Sequence, residues 1–287
     1  MKSVSAHAAP QTKSEARHSR HLCHQKSGAE RRDLLGSTHL MKKLRSVLVA
    51  VSLGLCFIVL ASPSQAAEKI RALVVTGGHD FEREAFFKMF KDNPEITFQA
   101  VEHPQAQAWF KADAAAQYDV LVFYDMYQKI DDETKANLVS RLKEGKGLVA
   151  LHHCLGSYQD WDEYTKIIGG KYHLKERLVS GVKKPGSTYK HDVQFRVKVA
   201  DPKHPVTRGV KDFDIVDETY GGLEIRPGVT TLLTTEEATS SPAVGWAHMY
   251  EGTRVVTLQL GHDHKAYENP SFRRLLAQAI RWSTKRD

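Results

Sequence analysis

Residues 147–154, GLVALHHC, form an apolar run that ends in two histidines and a cysteine. A short apolar run of this kind predicts a strand covered on both faces. DVLVFY, residues 119–124, has the same character, and Asp131–Lys143 between them has the apolar spacing of an amphipathic helix. Two buried strands joined by a helix predict a parallel βαβ unit.

The same alternation extends toward the N-terminus. It predicts a buried strand at Ile70–Thr76, a helix at Arg83–Lys91, a second strand at Ile96–Val101 and a short Ala-rich helix at Gln105–Ala116. Strands and helices in this order predict an α/β fold with a mostly parallel central sheet and helices on both faces.

The second half of the chain favours antiparallel elements. Val193–Val199 alternates apolar and polar residues, as a half-exposed strand does. A hairpin is indicated around the turn at Glu251-Gly252, and Phe272–Trp282 predicts a closing amphipathic helix. Further strands are predicted at Phe213–Val216, Thr230–Thr234, Ala243–Met249 and Thr253–Leu260.

Residues 41–66 have the three parts of a signal peptide: a basic start, an apolar run at Ser46–Ala61 and small residues at Ser64 and Ala66. We expect cleavage near Ala66 and an exported protein, periplasmic or extracellular. Residues 1–40 lack apolar periodicity, and we interpret them as an extension from a misplaced start codon or as a disordered leader. Residues 67–287 are then expected to form one domain.

The net charge of +7 belongs to the first 66 residues, because residues 67–287 contain 31 Lys+Arg and 31 Asp+Glu. This balance gives no support for a nucleic-acid partner. The apolar run in the signal segment is short for a membrane span, and Cys56 lies inside it rather than at a cleavage point, so no stable membrane anchor is expected. Beyond Ala66 the only cysteine is Cys154, which excludes an internal disulfide there.

Histidine follows three of the predicted strands, at His79, His152 and His262. In open α/β sheets, ligands bind beyond the carboxyl ends of the strands, so these residues predict one shared site. His152 and His153 are adjacent and their side chains should diverge, and we expect His152 to enter the site.

Several motifs in order along residues 70–283 resemble the ThuA-like, or trehalose-utilisation, family. The resemblance implies a flavodoxin-like three-layer sandwich, related to class I glutamine amidotransferases, and a role in carbohydrate catabolism. It also implies a small-molecule carbohydrate as partner, with 3-keto-glycosides as candidate substrates. The motifs are Gly77-Gly78-His79, GLVALHH (147–153), DWDEYTKIIGGKYH (160–173), HPVTRGV (204–210), DETY (217–220) and LGHDHKAYENPSFRRLLAQAIRW (260–282).

The resemblance implies a pocket that processes glycosides or 3-keto-glycosides by acid–base elimination or by hydrolysis, and histidine and glutamate suit both proton transfers. The predicted catalytic residues are His152, His173, Glu218 and His262. The predicted substrate-binding residues are His79, Tyr220, Asp263 and Trp161.

Structural roles stay open for several of these side chains. His152 and His79 can have a structural role in the turns where they lie. Glu218 and Tyr220 can anchor a loop, and Trp161 can be part of the core. The sequence identifies no particular cofactor. A divalent metal ion at His152, His262 and His264, or with His173 as a ligand, is left open. A homo-oligomer is left open as well.

Two other functions compete with a glycoside-processing enzyme. Cys154 follows a strand, as the nucleophile of a thiol amidohydrolase does, although His152 occupies a place where the sharp turn favours a small residue. A sugar-binding protein without catalysis is the second alternative.

Overall fold

The computed structural model describes residues 68–287; the predicted leader and signal peptide lie outside the described residues. Helices and strands alternate in the first half, and strands dominate the second. The helices are α1 (Arg83–Lys91), α2 (Asp132–Lys143), α3 (Asp162–Ile168), α4 (His264–Tyr267) and α5 (Pro270–Ser283). The strands are β1 (Ile70–Gly77), β2 (Ile96–Glu102), β3 (Val120–Asp125), β4 (Gly147–Leu151), β5 (Gly170–Lys171), β6 (Arg177–Val179), β7 (Val182–Lys184), β8 (Thr188–Val199), β9 (Phe213–Gly221), β10 (Glu224–Ile225), β11 (Thr230–Thr234), β12 (Ala243–Tyr250) and β13 (Thr253–Leu258).

Nine of these strands form one mixed sheet in the order β2-β1-β3-β4-β13-β12-β11-β8-β9. The five strands from β2 to β13 pair in parallel, and the remaining pairings are antiparallel. β12 and β13 form the hairpin expected around Glu251-Gly252. The predicted α/β class and mostly parallel central sheet are confirmed, and the carboxyl ends of β4 and β13 lie side by side.

The sheet is covered on both faces because neighbouring residues of its buried strands point to opposite sides. Val74 and Val122 pack with Phe86 of α1 and Leu275 of α5 in one core. On the other face Leu73, Leu121 and Leu148 pack with Leu138 of α2 and Ile167 of α3. Two cores on either side of one sheet make the three layers of the sandwich.

Three predicted elements differ from the structure by more than two residues, and one of them is β8, which begins at Thr188 rather than at Val193. Gln105–Ala116 is wrong as one helix, since it forms two 3₁₀ turns, Gln105–Phe110 and Ala115–Gln117. The first of these two segments already buries Ala106 and Phe110, so this edge of the core is covered without a longer helix. The strand predicted at Phe213–Val216 continues to Gly221, which places the whole DETY motif on β9.

A β-bulge interrupts the ribbon formed by β8 and β9. Lys190 pairs with Thr219 and Val193 pairs with Asp217, so two residues of β8 lie opposite one residue of β9. The second of these two, Asp192, has a left-handed φ of +57°. Bulges of this kind turn side chains in new directions and are frequent beside active sites.

Along residues 68–287, no helix combines the length and the apolar character needed to cross a membrane.

Gly147 tests how closely α5 packs on the sheet. A Cβ at this position would lie 2.3 Å from the backbone oxygen of Ser283, near the end of α5. We expect Gly147→Ala to lower the free energy of unfolding by about 1–3 kcal/mol, because backbone must move to make room. Urea unfolding measures the change. Gly156→Ala is the control, since its Cβ would meet only the flexible end of Met126. Equal losses in the two variants would contradict this account.

Candidate active site

His152 occupies a strained turn at the carboxyl end of β4. Its φ is +47°, in the left-handed region that non-glycine residues rarely adopt and that is often found at functional sites. The side chain is fully buried, and Nδ1 donates a hydrogen bond to the backbone oxygen of Gln259 at 2.6 Å. This bond leaves Nε2 as the ring nitrogen that faces the other polar side chains.

Glu218 of β9 lies at the centre of a histidine cluster. Its Oε2 is 2.9 Å from Nε2 of His152 and 3.3 Å from Nδ1 of His262, and those two ring nitrogens are 3.2 Å apart. The Tyr220 hydroxyl lies 3.0 Å from the same Nε2 of His152. Among residues 68–287, His152, Glu218 and His262 form the one group of this kind whose ligand atoms a single metal ion could join.

The charges in this cluster support one another. Burial raises the pKa of the Glu218 carboxyl, but hydrogen bonds and attraction from His152 and His262 outweigh burial and hold the pKa well below its usual range. The hydrogen bond to Glu218 raises the pKa of His262, although burial opposes that shift. Glu218 is therefore a buried carboxylate that attracts positive charge.

Asp217, which the sequence analysis did not single out, holds the backbone of this cluster in place. Its two carboxyl oxygens accept hydrogen bonds from the backbone N–H groups of Gly261 (2.7 Å), His262 (2.9 Å) and Glu218 (2.8 Å). Burial raises the pKa of Asp217, and these three bonds oppose that rise. Asp217 thereby joins β9 to the segment that follows β13.

His191 is a second site residue that the sequence analysis missed. It lies at the β-bulge of β8, and its Nδ1 is 3.2 Å from Oε1 of Glu218, the oxygen that faces away from His152. Its side chain is 51% exposed, and its ring packs against that of His262 at 4.7 Å. No strand end precedes His191, and only the bulge brings it to Glu218.

A cavity of about 210 Å³ opens above Glu218. Its wall is rich in rings that can stack on or hydrogen-bond a ligand. A larger cavity of about 650 Å³, lined in part by His204 and His248, contains no member of the cluster. We therefore assign the site to the smaller cavity, whose histidines and tyrosines are His79, His153, Tyr172, Tyr189, His191 and Tyr220.

Of the two adjacent histidines, His153 lines this cavity, whereas the expected one, His152, is fully buried and contacts the lining residues Glu218 and Tyr220 from below. The two rings do diverge, with an interplanar angle of 69°. His153 stacks on His79 at 4.6 Å, and burial lowers the pKa of His153 well below the usual range.

The turn that presents His79 needs glycine for packing, because a Cβ at Gly78 would lie 2.6 Å from the backbone oxygen of Met126.

Two predicted histidines lie outside the cluster. His173 pairs with Glu224 of β10 at 2.9 Å, and burial lowers its pKa. His264 pairs with Glu82 at 2.9 Å on the surface, where the hydrogen bond raises its pKa. The structure thus replaces the metal-ligand set that included His264: the side chain that joins His152 and His262 is Glu218.

Asp263 and Trp161 also serve other contacts. The Asp263 side chain accepts a hydrogen bond from the backbone N–H of Lys265 and so caps the N-terminus of α4. The carboxylate that holds the backbone of His262 is Asp217. Trp161 packs on Tyr158 and Tyr164 beside a different cavity. Neither side chain lines the cavity above Glu218.

Cys154 is enclosed in the core on one face of the sheet. The thiol is fully buried, and burial raises its pKa well above the usual range. A protonated, inaccessible thiol is a poor nucleophile. The strained position after β4 belongs to His152, so the geometry expected of a nucleophile elbow presents an imidazole here.

The fold and the cluster define a class: a three-layer α/β protein whose site is built from histidines that follow β4 and β13 and from a glutamate on β9. The chain belongs to the ThuA family, described as trehalose utilisation, whose sequence pattern matches residues 71–283. No curated protein matches the chain.

Solved structures of the same fold include two ThuA-like proteins. One, from Parabacteroides merdae, has 18% sequence identity and a TM-score of 0.63, with 76% of this chain and 90% of that chain covered. The other, from Bacteroides uniformis, has 15% identity and a TM-score of 0.54, with coverage of 76% and 92%. These two structures share the fold of this chain, and the predicted resemblance to the ThuA-like family is confirmed.

Asp217 offers a test of how the site is held together. In Asp217→Asn, one carboxylate oxygen becomes an NH₂ group that can no longer accept a backbone hydrogen bond. We expect the free energy of unfolding to fall by about 1.5–3 kcal/mol, the range for hydrogen bonds to charged groups. Chemical denaturation measures it. Asp214→Asn on the same strand is the control, because Asp214 pairs with Arg196 on the exposed surface. An unchanged stability of Asp217→Asn would refute the role of this carboxylate.

Proposed function

We propose that this protein is an enzyme that cleaves a glycoside, with 3-keto-glycosides as its substrate class. The observation that carries the proposal is the buried Glu218 carboxylate, bound by His152 and His262, at the base of a cavity lined by histidines and tyrosines. Membership of a family described as trehalose utilisation supports a carbohydrate ligand. The cavity is smaller than drug-sized pockets, which suits a single sugar ring.

The reaction that fits these groups is elimination followed by hydration. A keto group at C3 acidifies the C2 proton, and a base removes that proton. The electron pair forms a C1=C2 bond while the C1–O bond breaks, and the departing aglycone takes up a proton. Water then adds at C1 and a proton returns to C2, so the net reaction is hydrolysis. The imidazoles that line the cavity suit these proton transfers.

His191 is the proposed base in this sequence. Its Nδ1 faces Glu218, so Nε2 is the nitrogen left for the substrate. A carboxylate that holds one nitrogen of an imidazole fixes the orientation of the ring, as in catalytic triads. His79 in the cavity wall is the proposed proton donor to the aglycone. Glu218 lines the cavity and faces the oxygens of the sugar, while His152 and His262 hold its carboxylate in place.

Aglycone release from nitrophenyl 3-keto-glycosides of both anomeric forms tests the proposal. We expect the wild-type chain to release nitrophenol and Glu218→Gln to be at least 100-fold slower, because the variant loses the carboxylate that organises three histidines. His264→Ala and Cys154→Ala should keep their activity, since neither side chain reaches the cavity. Loss of activity in Cys154→Ala alone would favour the thiol mechanism, and a wild-type chain inert on every substrate would refute the proposal.

Solvent deuterium distinguishes elimination from direct hydrolysis. Elimination returns a proton from solvent to C2, so the 3-keto sugar formed in D₂O should carry deuterium there. A short reaction time and a control with the free 3-keto sugar separate this label from spontaneous exchange. Product without deuterium at C2 would replace elimination by direct attack of water at C1.

We further propose that the protein acts after export, on the basis of the basic, apolar and small-residue segments of residues 41–66. Expression of the full chain followed by N-terminal sequencing of the secreted form should give a start just after Ala66. Retention of the uncleaved chain inside the cell would contradict export.

A further inference from the structure

We propose that His152, Glu218 and His262 bind a divalent transition-metal ion. The inference deepens the proposed function and rests on it only for the role of the ion, because the binding site is argued from the three side chains themselves. His152 lies just after β4, Glu218 lies on β9 and His262 follows β13, so the three ligands converge from separate parts of the fold.

The distances between the ligand atoms fit one ion. Atoms held about 2.1 Å from a common ion are about 3.0 Å apart at octahedral angles and about 3.4 Å apart at tetrahedral angles. The three separations here are 2.9, 3.2 and 3.3 Å. Three atoms at these separations can all lie about 2.1 Å from one point just outside their plane.

One hydrogen bond sets the orientation of the His152 ring. Nδ1 of His152 donates to a backbone carbonyl, which leaves Nε2 as the nitrogen that faces Oε2 of Glu218. A metal ion between the three side chains would take one donor atom from each of them. A histidine ligand whose other nitrogen donates to a carbonyl is the usual outer arrangement of metal sites.

Residues around the three ligands hold them in place by hydrogen bonds, as the residues around a metal site do. Asp217 binds the backbone N–H groups of Glu218 and His262, and the side chain of Gln259 donates to the backbone oxygen of Glu218 at 2.8 Å. His191 contacts the other carboxyl oxygen of Glu218, which leaves Oε2 directed at the histidines. Of the three proposed ligands, Glu218 lines the cavity and the His262 side chain is 23% exposed, so a ligand can approach an ion held here.

The donor set indicates the class of metal. Two imidazole nitrogens and one carboxylate oxygen suit Zn²⁺, Co²⁺, Mn²⁺ or Fe²⁺, whereas Mg²⁺ and Ca²⁺ prefer sites made of oxygen. Three protein ligands with open positions are typical of catalytic rather than structural metal sites. In the proposed reaction, the open positions would take the keto and hydroxyl oxygens of the sugar and draw charge from C3.

Metal binding by the full chain tests the inference without any sugar. Protein stripped with a chelator is titrated with Zn²⁺ by calorimetry and with Co²⁺ by visible absorption, and Mg²⁺ serves as the ion that should not compete. Residues 1–40 carry donors such as Cys23 and His24, so the site is read as the difference between wild type and variants. We expect one more equivalent of Zn²⁺ in the wild type than in Glu218→Gln.

His262→Asn provides a second variant if Glu218→Gln fails to fold, with folding checked by circular dichroism. Either substitution should weaken binding by more than the roughly 10–100-fold that loss of an outer support costs. His264→Ala, with its histidine on the surface two residues away, should bind as the wild type does. Equal Zn²⁺ stoichiometry and affinity in the wild type, Glu218→Gln and His262→Asn would overturn the inference.

Failure of the metal site and failure of the proposed function are separable. Zn²⁺ binding that depends on Glu218, together with no aglycone release, would support the metal site and refute the glycosidase. Undiminished release by a chain stripped of metal would refute the role of the ion and support the glycosidase.

Discussion

The buried carboxylate of Asp217 is the contact on which the geometry of the site depends. It accepts three backbone N–H groups, two from the segment after β13 and one from its own strand, β9. Removing a carboxylate from water is costly, and charge-assisted bonds of this kind offset that cost. Because these bonds fix backbone rather than side chains, they hold the main chain of Glu218 and His262 independently of the contacts that the two side chains make.

The central sheet could be predicted because its strands are buried on both faces. Runs such as Val120–Tyr124 and Gly147–Leu151 leave no polar position that a solvent-facing strand would need. The edge of the core was harder to predict, because the observed 3₁₀ turn buries Ala106 and Phe110 just as the predicted helix would have done. The length of β9 was also underestimated, because its polar second half, Asp217–Tyr220, is buried by the site itself.

The sequence could identify which strand ends carry the site, but not where each side chain points. His152 and His262 were found because parallel strands bring their carboxyl ends together, whereas His173 and His264 have partners of their own, Glu224 and Glu82. His191 was beyond such reasoning. A bulge shifts the register of β8 at this residue, and no residue pattern in an alternating strand reveals that shift.

The outer wall of the cavity comes from the least buried part of the fold. Leu174 and Tyr189 line it on either side of the β6–β7 hairpin, and Tyr189 is 61% exposed while Leu178 in the hairpin is 71% exposed. Exposed positions tolerate substitution far better than the core does, and hairpin loops tolerate changes in length. The residues that select a ligand can therefore change while the histidines and Glu218 stay unchanged, so selectivity and chemistry are free to evolve separately.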